Sequence, residues 1–78
     1  MSVQTYQAVP ERRFIKRPQV EAMTSLSTSE IYRRIDAGSF PAQIRLGAKA
    51  VAWLAHEVEE WMDKTVENSR ATSDNVKG

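Results

Sequence analysis

The stretch Ser27-Thr28-Ser29-Glu30-Ile31-Tyr32-Arg33-Arg34-Ile35-Asp36-Ala37-Gly38 decides the fold. It predicts one short helix with both ends written into the residues. The Ser27 hydroxyl suits an N-cap, because it can accept from an otherwise unpaired N–H of the first turn. Glu30 stands three residues on, where its carboxylate can reach back to the Ser27 N–H and complete a capping box. Gly38 is the stop, since it takes the left-handed conformation without a Cβ clash. Ile31 and Ile35 share a face, while Ser29, Tyr32, Arg33 and Asp36 project elsewhere. So short a helix with so narrow an apolar seam is unstable alone and must dock on other elements. Its outer face offers two arginines, a phenol and small hydroxyls, groups suited to a polyanion with readable edges. The pattern is that of a DNA recognition helix.

Upstream, Leu26 precedes the cap as a hydrophobic staple residue against Ile31. Pro18 suits the first position of an earlier helix, where its missing N–H costs nothing, and that helix reaches about Thr24 with Val20 and Met23 on one side. Arg13-Phe14-Ile15-Lys16-Arg17 reads as a short extended segment. Pro18 biases Arg17 away from the helical region, and Phe14 and Ile15 are expected in the core. Residues 1–12 have no sustained period and are expected to form a flexible arm. Two short helices separated by a turn of about three residues, the second carefully capped, form the helix-turn-helix arrangement. In that motif the N-terminal half of the second helix meets base edges in the major groove. Thr28, Ser29, Tyr32 and Arg33 are the positions so presented, with Arg34 nearer the apolar seam. A plain αα-hairpin in a small bundle, its arginines merely solvated, has the same pattern.

Downstream, Ser39-Phe40-Pro41 turns the chain. Ala42-Gln43-Ile44-Arg45-Leu46 alternates as a half-buried strand does. Gly47-Ala48-Lys49 is a turn, and Ala50-Val51-Ala52-Trp53 is the returning strand. The result is a basic β-hairpin with Gln43, Arg45 and Lys49 outward. Beside a helix-turn-helix this is a wing, whose cations would lie over phosphates and supply affinity and register with little sequence information. From Ala55 to about Val66 the period returns to helical, with Leu54, Val58, Trp61 and Met62 in one stripe. Ala55 is a poor N-cap, so this helix start depends on packing. Trp61 is expected in the core, with Trp53 closing the hairpin against the same helix. Residues 68–78 lack an apolar face and are expected to form a disordered tail. The reading is an α+β fold: a small winged helix-turn-helix of about three helices plus a β-hairpin wing, spanning residues 13–67.

Bulk properties agree with one small domain. The 78 residues contain no cysteine, so neither a disulfide framework nor a thiolate metal site is available. No apolar run approaches a membrane span, and the N-terminus lacks the layout of a secretory signal, so a soluble intracellular protein is the expectation. The net charge of +1 hides an asymmetry. Residues 1–49 carry eight Lys and Arg against four Asp and Glu, a balance of +4; residues 50–78 carry three against six, a balance of −3. One basic working surface and one acidic back would produce this division. Catalysis has little footing. His56 is the lone histidine, on an acidic turn expected to be exposed, and the glycines form no phosphate-binding loop. No cofactor and no metal are expected.

These residues carry a family resemblance. The runs Phe14-Ile15-Lys16-Arg17-Pro18-Gln19-Val20 and Ser25-Leu26-Ser27-Thr28-Ser29-Glu30-Ile31-Tyr32-Arg33-Arg34-Ile35 resemble the AlpA family of prophage regulators. The similarity continues through Gly38-Ser39-Phe40-Pro41, Ile44-Arg45-Leu46-Gly47, Val51-Ala52-Trp53-Leu54 and Glu57-Val58-Glu59-Glu60-Trp61. It departs from the family at Glu30, Ala48 and Ala55. The resemblance implies a winged helix-turn-helix related to the MerR DNA-binding domain, in a bacterial cytoplasmic protein associated with the nucleoid. It implies DNA contacts by Thr28, Ser29, Tyr32 and Arg33 of the helix and by Arg45 and Lys49 of the wing. Arg34 and Arg17 join them as candidates, and Arg12, Arg13 and Lys16 could add backbone contacts. The implied partner is double-stranded DNA of a prophage or genomic island. The implied role is that of an excisionase, a recombination directionality factor acting with integrase at attachment sites. A transcriptional regulator of the integrase gene is the alternative. A protein-interaction adaptor, docking through the acidic 57–63 face or the tail, is an alternative of another class. No long heptad repeat is present, so a monomer that self-associates cooperatively on DNA is expected.

Overall fold

Trp53 has no exposed surface and is the largest side chain of a core that also holds Ile15, Val20, Ile31, Phe40, Ala55 and Val58. The structure is a computed structural model that describes residues 12–77, with side-chain environments through Ala71. The expected arm therefore lies, apart from Arg12, outside the described residues. In chain order the elements are β1 (Phe14–Ile15), α1 (Arg17–Thr24), α2 (Thr28–Asp36), β2 (Ile44–Gly47), β3 (Ala50–Leu54) and α3 (Ala55–Lys77). The strands form one antiparallel sheet in the order β1-β3-β2. Three helices and this sheet make the small α+β winged-helix layout that the residues predict.

The expected extended segment before α1 proves to be the third strand. Phe14 pairs with Leu54 and Ile15 with Trp53, which makes β3 the central strand, paired with β1 at its C-terminal end and with β2 over residues 50–52. Only Ile15 enters the core; Phe14 is 54% exposed, because adjacent strand residues face opposite sides. The same edge solves the capping problem of α3. The Ala55 N–H donates to the Arg13 carbonyl at 2.8 Å, so strand pairing satisfies a group that a side-chain cap would otherwise serve.

Helix α1 begins one residue earlier than the proline suggests. Lys16 is its extended N-cap and Arg17 is already helical, and the N–H groups of Gln19 and Val20 both reach the Lys16 carbonyl at 3.0 Å. The helix ends at Ser25, in the left-handed region at φ 64° with its N–H on the Glu21 carbonyl. The Thr24 hydroxyl donates to the Val20 carbonyl and accepts from the Leu26 N–H, which tightens the turn without a glycine.

Helix α3 departs most from expectation. It continues to Lys77 instead of ending near Val66, so residues 68–77 are helical where a disordered tail is expected. No glycine or proline interrupts Ala55–Lys77, and a helix already nucleated on a core extends at small cost per residue. Its packed part is short. Val58 is buried and Trp61 and Met62 are half-buried, but from Asp63 to Ala71 every side chain is exposed.

Candidate nucleic-acid interface

Helix α2 is fixed at both ends. The Ser27 hydroxyl accepts from the Glu30 N–H at 3.2 Å, as an N-cap should. At the other end Gly38 takes φ +79°. The Gly38 N–H meets the Ile35 carbonyl at 3.0 Å and the Ser39 N–H meets the Arg34 carbonyl at 2.9 Å, the paired bonds of a Schellman stop. Ile31 is wholly buried beneath the helix, with Ile35 and Leu26 packed on the same core.

The connector after α2 is held by both tryptophans. The Trp53 indole N–H donates to the Pro41 carbonyl at 3.0 Å, and the Trp61 indole N–H donates to the Ser39 carbonyl at 2.7 Å. Phe40 between them is buried and meets the Trp61 ring edge-on at 4.8 Å. Trp61 is therefore a half-buried clamp rather than the core residue its spacing predicts, and Trp53 has the central place. The exit of α2 and the entry to the β2–β3 hairpin are thereby tied to β3 and α3. A helix and hairpin held this way present their side chains from a common rigid frame.

The candidate contact residues occupy three settings. Thr28, Ser29 and Arg33 are exposed on α2, Arg33 with 65% of its side chain accessible. Tyr32 is half-buried, its ring tilted at 6.4 Å from Trp53, so the phenol leans on the core instead of standing outward. Arg34 is also half-buried. On the hairpin, Arg45 and Lys49 are exposed, and Arg45 Nη1 donates to the Ala48 carbonyl at 3.3 Å across the turn. β2 carries an irregularity in register between Arg45 and Gly47, which bends the strand towards its tip.

Two carboxylates that the sequence reading leaves outside the site organise its cations. Glu30 does not return a bond to Ser27, so the predicted capping box is only half made. Its carboxylate turns outward instead and receives Arg33 Nη2 at 2.6 and 2.9 Å and Arg34 Nε at 3.2 Å. Hydrogen bonding from Arg33, with the charges of Arg33 and Arg34, lowers the Glu30 carboxyl below its ordinary 4.5. Glu21 plays a parallel part on α1, meeting Arg17 Nε at 3.3 Å and accepting from the Thr28 hydroxyl. Both arrangements follow helical spacing of three or four residues or the α1–α2 contact. The Glu30 spacing to Arg33 and Arg34 was available as a signal. Among the described residues, no side-chain hydrogen bond or ion pair links the helix cations to Arg45 or Lys49.

His56 is half-buried rather than on an exposed turn, and its Nδ1 has no hydrogen-bond partner among the described residues. Among those residues no cluster of His, Asp and Glu could hold a metal ion, and no helix is long and apolar enough to cross a membrane. What the arrangement offers chemically is a set of directed N–H donors and hydroxyls beside a basic hairpin.

Two comparisons with known proteins bear on this surface. The profile of the family described as Prophage CP4-57 regulatory protein (AlpA) matches residues 13–66. The uncharacterized protein ORF88 of Enterobacteria phage P4 is 46% identical over 54 residues, which cover 69% of this chain and 61% of that protein. The matched stretch contains α1, α2, the hairpin and the packed turns of α3.

Proposed function

The chain belongs to the AlpA family of prophage regulatory proteins, and on that premise we propose that it binds double-stranded DNA and acts as an excisionase of a prophage or genomic island. Helix α2 enters the major groove with Thr28, Ser29 and Arg33 towards the bases, and Arg33 contacts a guanine edge through paired donors. Arg45 and Lys49 hold phosphates flanking the groove, Arg17 and Arg34 add backbone contacts, and Tyr32 supports the helix from beneath. One observation supports this reading above the rest: a capped helix exposes Ser29 and Arg33 on one side, buries Ile31 on the other, and leaves through a connector held by two indole N–H bonds. Several copies, bound cooperatively at neighbouring repeats, would bend attachment-site DNA so that integrase excises the element.

The family description as regulatory favours a second role, control of the integrase promoter. A footprint across the attachment site and integrase promoter, followed by a reaction with purified integrase, separates the two. Cooperative protection of attachment-site repeats with stimulated excision supports the excisionase. Promoter protection with no change in purified recombination supports the transcriptional role. Undetectable or salt-insensitive DNA binding removes both and leaves an adaptor role through the acidic helix.

A further inference from the structure

We propose that Glu30 is a specificity-determining residue of α2, one that holds Arg33 and Arg34 in the unbound protein and withholds Arg33 from generic phosphates. This rests on the DNA-binding role of α2 proposed above. The carboxylate is not needed to cap the helix, because Ser27 caps through the backbone N–H of Glu30. Nor is it buried for packing, being 38% exposed on the side that carries Arg33. Its bonds go to the two guanidiniums, and among the described residues neither guanidinium has another side-chain partner.

The consequence follows from competition. A phosphate offers Arg33 a contact of the same kind as the one it already has, so exchanging Glu30 for a phosphate gains little. A guanine edge offers two acceptors in a plane that matches the guanidinium fork, and that exchange is favourable only where the base is present. The Glu30 charge also repels phosphates from the helix when it sits in the wrong register. Affinity for random DNA falls more than affinity for the site, and the ratio between them rises. Glu21 likewise meets two candidate groups, Arg17 and Thr28.

The test uses a pool of random-sequence duplexes and the duplex that the wild-type chain selects from it. Dissociation constants for wild type, Glu30→Gln and Glu30→Ala are measured on both across a salt series, with circular dichroism and thermal melting to confirm folding. Both variants keep the backbone cap, and alanine adds helix propensity. Glu30→Gln is expected to tighten binding to the random pool and to steepen its log K against log salt slope by about 0.9, one additional phosphate contact. The preference for the selected duplex is expected to fall severalfold, and Glu30→Ala should give the same direction. If both folded variants keep the wild-type preference and slope, or weaken both duplexes alike, the role of Glu30 is overturned while DNA binding stands. If wild type itself shows no salt-dependent duplex binding, the DNA-binding reading fails and this inference with it.

Discussion

Helix α2 and the β2–β3 hairpin both present cations, and they hold them in opposite ways. On α2 the guanidiniums of Arg33 and Arg34 lean on Glu30 at hydrogen-bonding distance. On the hairpin Arg45 reaches, among the described residues, only the Ala48 carbonyl, and Lys49 is exposed at the turn. A cation already met by a carboxylate is aimed, and moving it has to be repaid by a partner of better geometry. A solvated lysine accepts any phosphate within reach. On the proposed DNA-binding role, this difference would give discrimination to the helix and sequence-independent affinity to the wing, two tasks that protein–DNA interfaces generally divide between base edges and backbone.

The change with the largest expected effect breaks both regions together. Trp53 lies in the strand between β1 and β2, contacts Tyr32 and bonds Pro41. Trp53→Ala is expected to cost about 3–5 kcal/mol of unfolding free energy, enough to threaten folding in so small a domain. Trp61→Ala should cost less, because that ring is only half-buried. Urea unfolding of the two variants measures the order, and equal costs would contradict the central place given to Trp53. Arg33→Ala comes next, with a loss of about 1–3 kcal/mol in discrimination at one base position. Competition binding against single-base variants of the selected site reads it. Ser27→Ala removes the cap bond and is expected to cost about 1 kcal/mol of stability, with hydrogen exchange rising in the first turn of α2 and not in the hairpin.

Smaller effects sharpen the contrast. Lys49→Ala should weaken binding to every sequence alike and reduce the salt slope by about 1, leaving the preference between duplexes unchanged. The smallest is a pH effect. Because the folded Glu30 carboxyl lies below its ordinary value, its contribution to stability is complete above the unfolded pKa and disappears as pH falls through the lowered folded one. The melting-temperature difference between wild type and Glu30→Gln should therefore shrink on acidification through that range, and a difference that stays constant would show that the ion pairs are irrelevant to the fold.

Much of the frame was legible because local chemistry and tertiary structure agree. Ser27, Ile31 and Gly38 announce α2, and each does in the structure what its residue type suggests. The strand Ile44–Gly47 and the turn that follows it mark the wing, although Leu46, expected on the buried side of the alternation, is 46% exposed. What was not legible lies where a partner distant in sequence overrides a local rule. Phe14-Ile15 is too short to declare itself a strand until Leu54 and Trp53 lie beside it. Ala55 is a poor cap until Arg13 supplies a carbonyl. The two tryptophans exchange expected places, since periodicity marks a face and says little about depth. Tyr32 likewise leans on Trp53 and leaves the exposed reading positions to Thr28, Ser29 and Arg33. The spacing of Glu30 from Ser27 predicts a cap, and its spacing to Arg33 and Arg34 equally allows the ion pairs that form.

The most direct test of the division between helix and wing is chemical protection of guanine N7, an atom exposed only in the major groove. Wild type bound at saturation to its selected duplex is predicted to shield a guanine within the site. Arg33→Ala should lose that protection while keeping the sugar–phosphate protections that the hairpin gives. Guanines that stay reactive in the saturated wild-type complex, or a protection that survives Arg33→Ala unchanged, would contradict the placement of α2 in the groove.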